Sequence, residues 1–450
     1  MSPAFVELDA LGQIEIIRAE RPEHWEPGSW LRLSGFGIPG VPNVHSHAFQ
    51  RAMLGRTEWR APDRDDSFWT WRMRMYEVAE TIEPEELEII TAQLYIEMLE
   101  AGITSVGEFH YLHHAVGGGM YDDHAELSLR TFAAAHRAGI GLTHLPVLYQ
   151  QGGFGRPPLV EQRRFVHTEL DVFIDLLARL SQVLRPHPRM RLGVAPHSLR
   201  AVGAEALSRI IQDARTLDPD MPVHMHASEQ IAEVEECVAH LGMRPVEWLC
   251  EHQEVDARWC LVHATHLSEL EISRLAESGA VAGLCPTTEG NLGDGFFSAA
   301  KYLGAGGRIA LGTDSQVNVD PAEDLRLLEY GQRLQAQRRN RLAPAVGGSV
   351  ARHLFENVVE NGARALAQPT GLLRPGRRCD LVVLDPKNPR LLGHGPDTIL
   401  DAWVFGSAGS CVKDVFVEGE HLVKDGEHVE AAGVRPAFES VMRGMIARGA

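Results

Sequence analysis

The chain has 450 residues, 44% of them hydrophobic, which is ample for a large buried core. Its formal net charge of −18, from 43 Lys+Arg against 61 Asp+Glu, argues against a nucleic-acid surface, which needs a basic patch. An anionic substrate stays open, because a pocket can be locally positive. No apolar run reaches the length of a membrane span, and the first residues, MSPAFVELDALG, lack the basic-then-apolar order of a signal peptide. Cys237, Cys250, Cys260, Cys285, Cys379 and Cys411 are scattered with no CxxC pair, which reads as free thiols in a cytoplasmic protein.

In chain order, residues 1–34 hold short β-rich runs at 13–17 and 30–33. A β-then-α alternation follows. Apolar strand-like segments lie at 35–47, 102–110, 139–149, 191–198, 222–229, 259–266, 280–289 and 308–315, eight in all. Between them, Pro84–Glu100, 160–184, Ala204–Leu217 and Glu269–Ser278 carry apolar residues at helical spacing. Eight βα units imply parallel strands with right-handed crossovers, closed as a (β/α)8 TIM-type barrel over residues 38–365. An open doubly wound sheet would need a GxGxxG turn or a switch point, and neither is present. Residues 366–450 then offer LVVL (381–384), AWVF (402–405) and VKDVFV (412–417) as strands and a last helix at 437–448. The expected domains are 1–37 and 366–450, joined as a small β-sandwich, flanking the barrel at 38–365.

The loaded residues fall at the strand ends. His45 and His47 are two apart on strand 1, so they point to one side and can grip one ion. His226 in PVHMHASE, His263 in CLVHATH and Asp314 in IALGTDS end three later strands. Three imidazoles and a carboxylate suit one divalent first-row ion, above all Zn2+. His224 is the alternative to His226; His226 is preferred because it puts Glu229 three residues on, just past the strand end. Such an ion lowers the pKa of its water from ~15.7 towards ~7. Asp314 can take the water's proton, His263 can hydrogen-bond the reacting oxygen, and Glu229 can move a proton onto a leaving nitrogen. Glu229 could instead orient a ligand from behind. No lysine occurs before Lys301, and strand 4 ends in Ala195-Pro-His197-Ser198, so the bridging carboxylated lysine of a two-metal site has no place. One ion per chain is expected.

HSH, HASE, VHATH and GTDS at these strand ends resemble the amidohydrolase superfamily, as does the stretch GLLRPGRRCDLVVLDP followed by VKDVFVEGEHLVKDG. HxxE with a single metal resembles its deaminase branch. NVHSHAFQRAM (43–53), DSFWTWR (66–72), QLYIEMLEAGITSVGEFHYLHH (93–114), HSLRAV (197–202), LVHATH (261–266) and TEGNLGDGFF (288–297) look like the formimidoylglutamate deiminase family. That resemblance implies hydrolysis of N-formimidoyl-L-glutamate to N-formyl-L-glutamate and ammonia, in histidine degradation. It implies metal ligands at His45, His47, His226 and Asp314, and substrate contacts at Gln50, Arg72, Tyr111, His197 and Arg200. It also implies a homodimer.

The residues themselves agree with a small dianionic amidine as partner. Two carboxylates want two cationic clamps, and Arg forks match carboxylates. Arg200 lies three residues past the fourth strand segment's His197, and Arg72 follows the aromatic run Phe68-Trp69-Thr70-Trp71, in a segment long enough to cover the barrel mouth. His110, His113, His114 and His266 read as structural or as supports behind the site residues, and the role of Gln316, just after GTDS, stays open. Two other functions are weighed: a deaminase of a purine, pyrimidine or triazine ring, which would want stacking aromatics and amide donors, and a non-catalytic metal-binding barrel, in which Glu229 and His263 would have no purpose.

Overall fold

Residues 4–20, 30–60, 65–407 and 409–449 are described by the computed structural model. Eight parallel strands close into a barrel: β1 (Val41–Ser46), β2 (Ile103–His110), β3 (Gly141–Leu148), β4 (Met190–Leu192, continued by Ala195–Pro196), β5 (Val223–Ala227), β6 (Trp259–His263), β7 (Val281–Leu284) and β8 (Arg308–Leu311). Each pairs with its neighbour in chain order, and β8 returns to β1 through Leu311 and Asn43. The seam between β4 and β5 closes where Val194 N donates to Pro222 O and His224 N donates to Val194 O, both at 3.0 Å. This is the barrel that the alternation predicts.

The barrel has a packed floor and an open top. Val44, Cys260, Val281 and Ala310 fill its interior, with Ala365 and Leu366 pushed in from below. The helix Val350–Ala365 ends there. Thr143 Oγ1 donates to Leu366 O at 2.6 Å, and Gln368 Nε2 donates to Leu142 O at 3.0 Å, so the plug is hydrogen-bonded as well as packed. Chemistry is left to the C-terminal ends of the strands, as this fold requires. Helix starts follow local rules. Pro84 opens Pro84–Glu100 at a position where its missing N–H costs nothing, and Glu86 reaches back to Glu83 N.

The two ends of the chain meet beside the barrel. A five-stranded antiparallel sheet runs Glu427–His428, Glu420–Lys424, Val412–Val417, Leu381–Leu384, Phe36–Pro39. The hairpin Phe5–Leu8 with Ile14–Arg18 docks on it: Ile14 N donates to Arg377 O, and Cys379 N donates to Gly12 O. One residue, Gly40, separates the strand Phe36–Pro39 from β1, so the chain passes straight from this sheet into the barrel.

Four expected elements differ. Residues 30–33 form no strand. AWVF at 402–405 lies in the helix Ile399–Gly406, whose apolar residues are buried on every side and so carry no period. The stretch 160–184 divides into a turn, Val160–Gln162, and the helix Leu170–Leu184. The last helix starts earlier than read and runs Ala431–Ala447 through Pro436.

Candidate active site

β1 delivers His45 and His47 to one side of its C-terminal end, while Ser46 turns away and donates to Glu108 Oε2 at 2.7 Å. The turn after β8 is locked onto this end. Asp314 N donates to His45 O at 2.9 Å, and His47 N donates to Asp314 O at 3.1 Å. Asn43 clamps the same turn, donating from Nδ2 to Thr313 Oγ1 at 2.8 Å and accepting from Thr313 N at 3.1 Å. Gly312 permits the approach: a Cβ there would stand 2.7 Å from His45 Cβ and 2.8 Å from Cys285 Sγ.

The four expected ligand atoms converge. His45 Nε2 lies 3.1 Å from both His47 Nε2 and His226 Nε2. Asp314 Oδ1 lies 3.3 Å from His47 Nε2 and 3.6 Å from His45 Nε2. Donors about 2.0–2.1 Å from a tetrahedral zinc stand roughly 3.3 Å apart, so the set fits one ion. His47 Nδ1 is 3.0 Å from Phe109 O and His226 Nδ1 is 3.2 Å from His197 O. Donation to those carbonyls leaves each Nε2 lone pair free for a metal. His224 is elsewhere: its Nε2 lies 2.8 Å from Ala365 O, on the barrel floor.

Electrostatics suit the same use. Burial and the neighbouring His47 lower His45 to about 3. Burial also lowers His47 and takes His226 well below its ordinary value, so all three rings are neutral near pH 7, as ligands must be. Asp314 is held below the usual carboxylate range: burial opposes this, but the hydrogen bond from His45 and the charge of His263 outweigh it. Burial works against a charged His263 too, yet Glu229, Glu289 and Asp314 raise it to about 10. Glu229 is raised by burial, against the pull of His263 and Arg200. Ser228 (φ 55°), His263 (φ 67°), Asp314 (φ 50°) and Gln316 (φ 64°) all occupy the left-handed region. Non-glycine residues there are strained, and such strain gathers where chemistry is placed.

Above the cluster opens a cleft. Gln50, Arg72, Tyr111, His197 and Arg200 line it together with His47, His226, Glu229, His263 and Asp314. The helix Phe68–Thr81 lays Phe68, Trp71, Arg72, Met75 and Tyr76 along it, the spacing of one helical face. The Arg72 guanidinium bonds the Tyr76 hydroxyl and sits 5.3 Å from the Trp69 and Tyr76 ring centres. Arg200 sits 5.7 Å from the Phe68 ring centre. Its Nε and Nη1 are buried with no hydrogen-bond partner among the described residues. Gln50 Nε2 donates to the Tyr111 hydroxyl at 2.9 Å. His197 is kept neutral by burial and by Arg200 and Arg72, and its Nδ1 lies 2.9 Å from Ser198 Oγ.

Some buried partners escaped the reading of the sequence. Glu289 Oε1 lies 3.3 Å from His263 Nδ1. Glu233 accepts from Ser228 N and Glu229 N at 3.3 and 3.0 Å and so holds the turn that carries Glu229. Glu108 accepts from Ser46 Oγ and Ala48 N, both at 2.7 Å, and burial raises it to about 7. Glu289 and Glu108 sit in quoted motifs and Glu233 lies four residues past HASE, but nothing in their spacing marks them. Gln316 braces the strained turn: its Nε2 donates to Asp314 O at 2.6 Å and to Ser46 Oγ at 3.1 Å. His113 and His114 bond to Val147 O and Val166 O, outside the cleft.

Known proteins share this arrangement of chain. A formimidoylglutamate deiminase of Pseudomonas aeruginosa is 48% identical over 412 residues, 91% of this chain and 90% of that protein. The crystal structure of an amidohydrolase from Brucella melitensis superposes with a TM-score of 0.91 at 43% identity, covering 98% of this chain and 96% of the other. An adenosine deaminase from Xanthomonas campestris with bound zinc shares the fold, with a TM-score of 0.78 at 22% identity over 99% of this chain and 94% of that one. The model of the amidohydrolase family matches residues 36–422, from the strand before the barrel through the terminal sheet, and the chain therefore belongs to the amidohydrolase family.

Proposed function

We propose that the chain hydrolyses N-formimidoyl-L-glutamate to N-formyl-L-glutamate and ammonia, with one zinc ion held by His45, His47, His226 and Asp314. The observation that carries the reading is a single cleft lined by two kinds of group. One is the cluster of imidazoles and carboxylates; the other is Arg72 and Arg200, with two buried Arg200 donors lacking partners among the described residues. A substrate with two carboxylates and an amidine matches both. The name of the 48% identical relative points the same way.

When bound, the ion supplies Lewis-acid activation of water. The rest falls to side chains. Arg200 and Arg72 take the two carboxylates through charge-assisted hydrogen bonds, and Gln50, Tyr111 and His197 complete their cradle. Water adds to the formimidoyl carbon as Asp314 accepts its proton. Glu229, whose proton affinity burial raises, passes a proton to the nitrogen that departs as ammonia. His263 Nε2 steadies the oxygen as charge develops on it. Phe68, Trp71 and Tyr76 keep bulk water away from the reacting carbon.

Ammonia release from N-formimidoyl-L-glutamate, measured beside guanine, cytosine and S-adenosylhomocysteine with zinc assayed on the same sample, tests this. Release from the first alone, with about one zinc per chain, is the expected result. Release from a ring substrate alone would replace the proposal with a ring deaminase. The same reading has the enzyme cytoplasmic, its unpaired cysteines reduced, and dimeric; light scattering giving one chain mass would remove the dimer.

A further inference from the structure

His263 is held at both ends of its ring. Nε2 faces the reacting groups, 3.6 Å from Asp314 Oδ2 and 3.7 Å from Glu229 Oε1. Nδ1 faces away from them, 3.3 Å from Glu289 Oε1. Glu289 is on the short helix Pro286–Leu292 after β7 and is 4% exposed. It is itself fixed, because Oε1 also accepts from Cys285 N at 2.8 Å. His263 and Ala264 both occupy the left-handed region, with φ of 67° and 50°. A ring carried on so strained a turn needs a partner to set its direction. Which ring nitrogen faces a reaction is decided by the hydrogen bond the other one makes.

We propose that Glu289 is a positioning residue: by accepting Nδ1–H of His263, it fixes the ring so that Nε2 is presented to the substrate. The inference rests on the reaction proposed above, in which His263 acts through Nε2. A rival use of the same residues exists, since His263, Cys285 and Glu289 offer three donor atoms close enough to share an ion. It is disfavoured because Glu289 Oε1 already serves the Cys285 amide and because Cys285 is wholly buried against Gly312.

The experiment is a double-mutant cycle with metal analysis. Glu289→Leu should lower kcat by about 100-fold, leave KM within about threefold and leave zinc content unchanged. Glu289→Gln, which keeps an acceptor oxygen, should recover at least roughly tenfold of that loss. In a His263→Asn background, Glu289→Leu should cost less than about threefold more, because its partner is gone. Equal losses in both backgrounds would overturn the proposal in favour of a folding role. A second metal per chain that vanishes in Glu289→Gln would overturn it in favour of an ion site. Nitrogen NMR of labelled histidine in the zinc-loaded protein separates this from the reaction itself. His263 Nδ1 should carry a proton in the parent and lose that signature in Glu289→Leu, whether or not the parent acts on N-formimidoyl-L-glutamate. An unchanged His263 signal would sink the positioning role even if ammonia release is confirmed.

Discussion

Glu229 and Arg200 share one cleft but serve different atoms in the proposed reaction, and their substitutions should separate. Glu229→Gln removes the proton donor and touches none of the four metal donors, so kcat should fall roughly 1,000-fold with zinc retained. Asp314→Asn should lose both activity and zinc. Arg200→Met removes charge-assisted hydrogen bonds worth about 3 kcal/mol, so kcat/KM should drop roughly 100-fold with zinc unchanged. Full kcat/KM in Arg200→Met would refute the clamp. Parallel assays of ammonia release and zinc content read all three variants. At this scale the sequence was legible wherever chemistry sits on a strand's own period or just past its end. His45 and His47 are two apart, and Glu229 follows His226 by three. Glu289, Glu233 and Glu108 were not legible, because each acts on a residue on another element, or on a turn's backbone, that no local pattern names.

The element that decides the metal site is the junction of β1 with the turn after β8, and Gly312 is its narrowest point. Glycine is needed there for space, since a methyl group would press on both His45 Cβ and Cys285 Sγ. Gly312→Ala should therefore cost about 1–3 kcal/mol by overpacking and push the two strand ends apart. A fall in zinc occupancy together with a lower Tm is the expected outcome. Full occupancy with an unchanged melt would show that the junction yields without harm. The elements misread from sequence fail for a related reason. AWVF is a short apolar run, and such runs do not distinguish a strand from a buried helix. Distant groups decide it here. Arg326 donates to Val404 O at 2.6 Å and to Ser407 O at 2.9 Å, closing the helix end, and Ala351 N donates to Asp401 Oδ1 at 3.2 Å. The eight barrel strands were legible because each is bounded by its own helix and turn.

Buried histidines outside the four-residue cluster should make the whole molecule sensitive to acid. His110, His113, His144 and His167 crowd together at β2, β3 and the loops beyond, with ring centres 4.4–5.5 Å apart for neighbouring pairs, and His224 lies on the barrel floor. Burial lowers His110 and His167 to about 3 and His224 to about 4. It takes His113 and His144 well below 6.5, helped at His113 by the charges of His167, His110 and His114. A histidine whose pKa is depressed by folding binds its proton more readily in the unfolded chain. Stability is therefore complete above the unfolded value of 6.5 and falls steadily as pH drops from there towards 3. At pH 5 each such ring costs at most about 2 kcal/mol. Five together cannot cost more than about 10 kcal/mol, a bound of the same order as the whole stability of a typical domain. The fold should therefore lose stability as the pH falls from 6.5 towards about 4, and metal chelation should move the midpoint higher by releasing the ligand histidines to titrate. Circular dichroism against pH, with and without chelator, gives the midpoint directly. His167→Gln removes one titrating ring and should shift it downward. A midpoint below pH 4 that ignores the substitution would mean that the buried rings take up protons without unfolding the barrel.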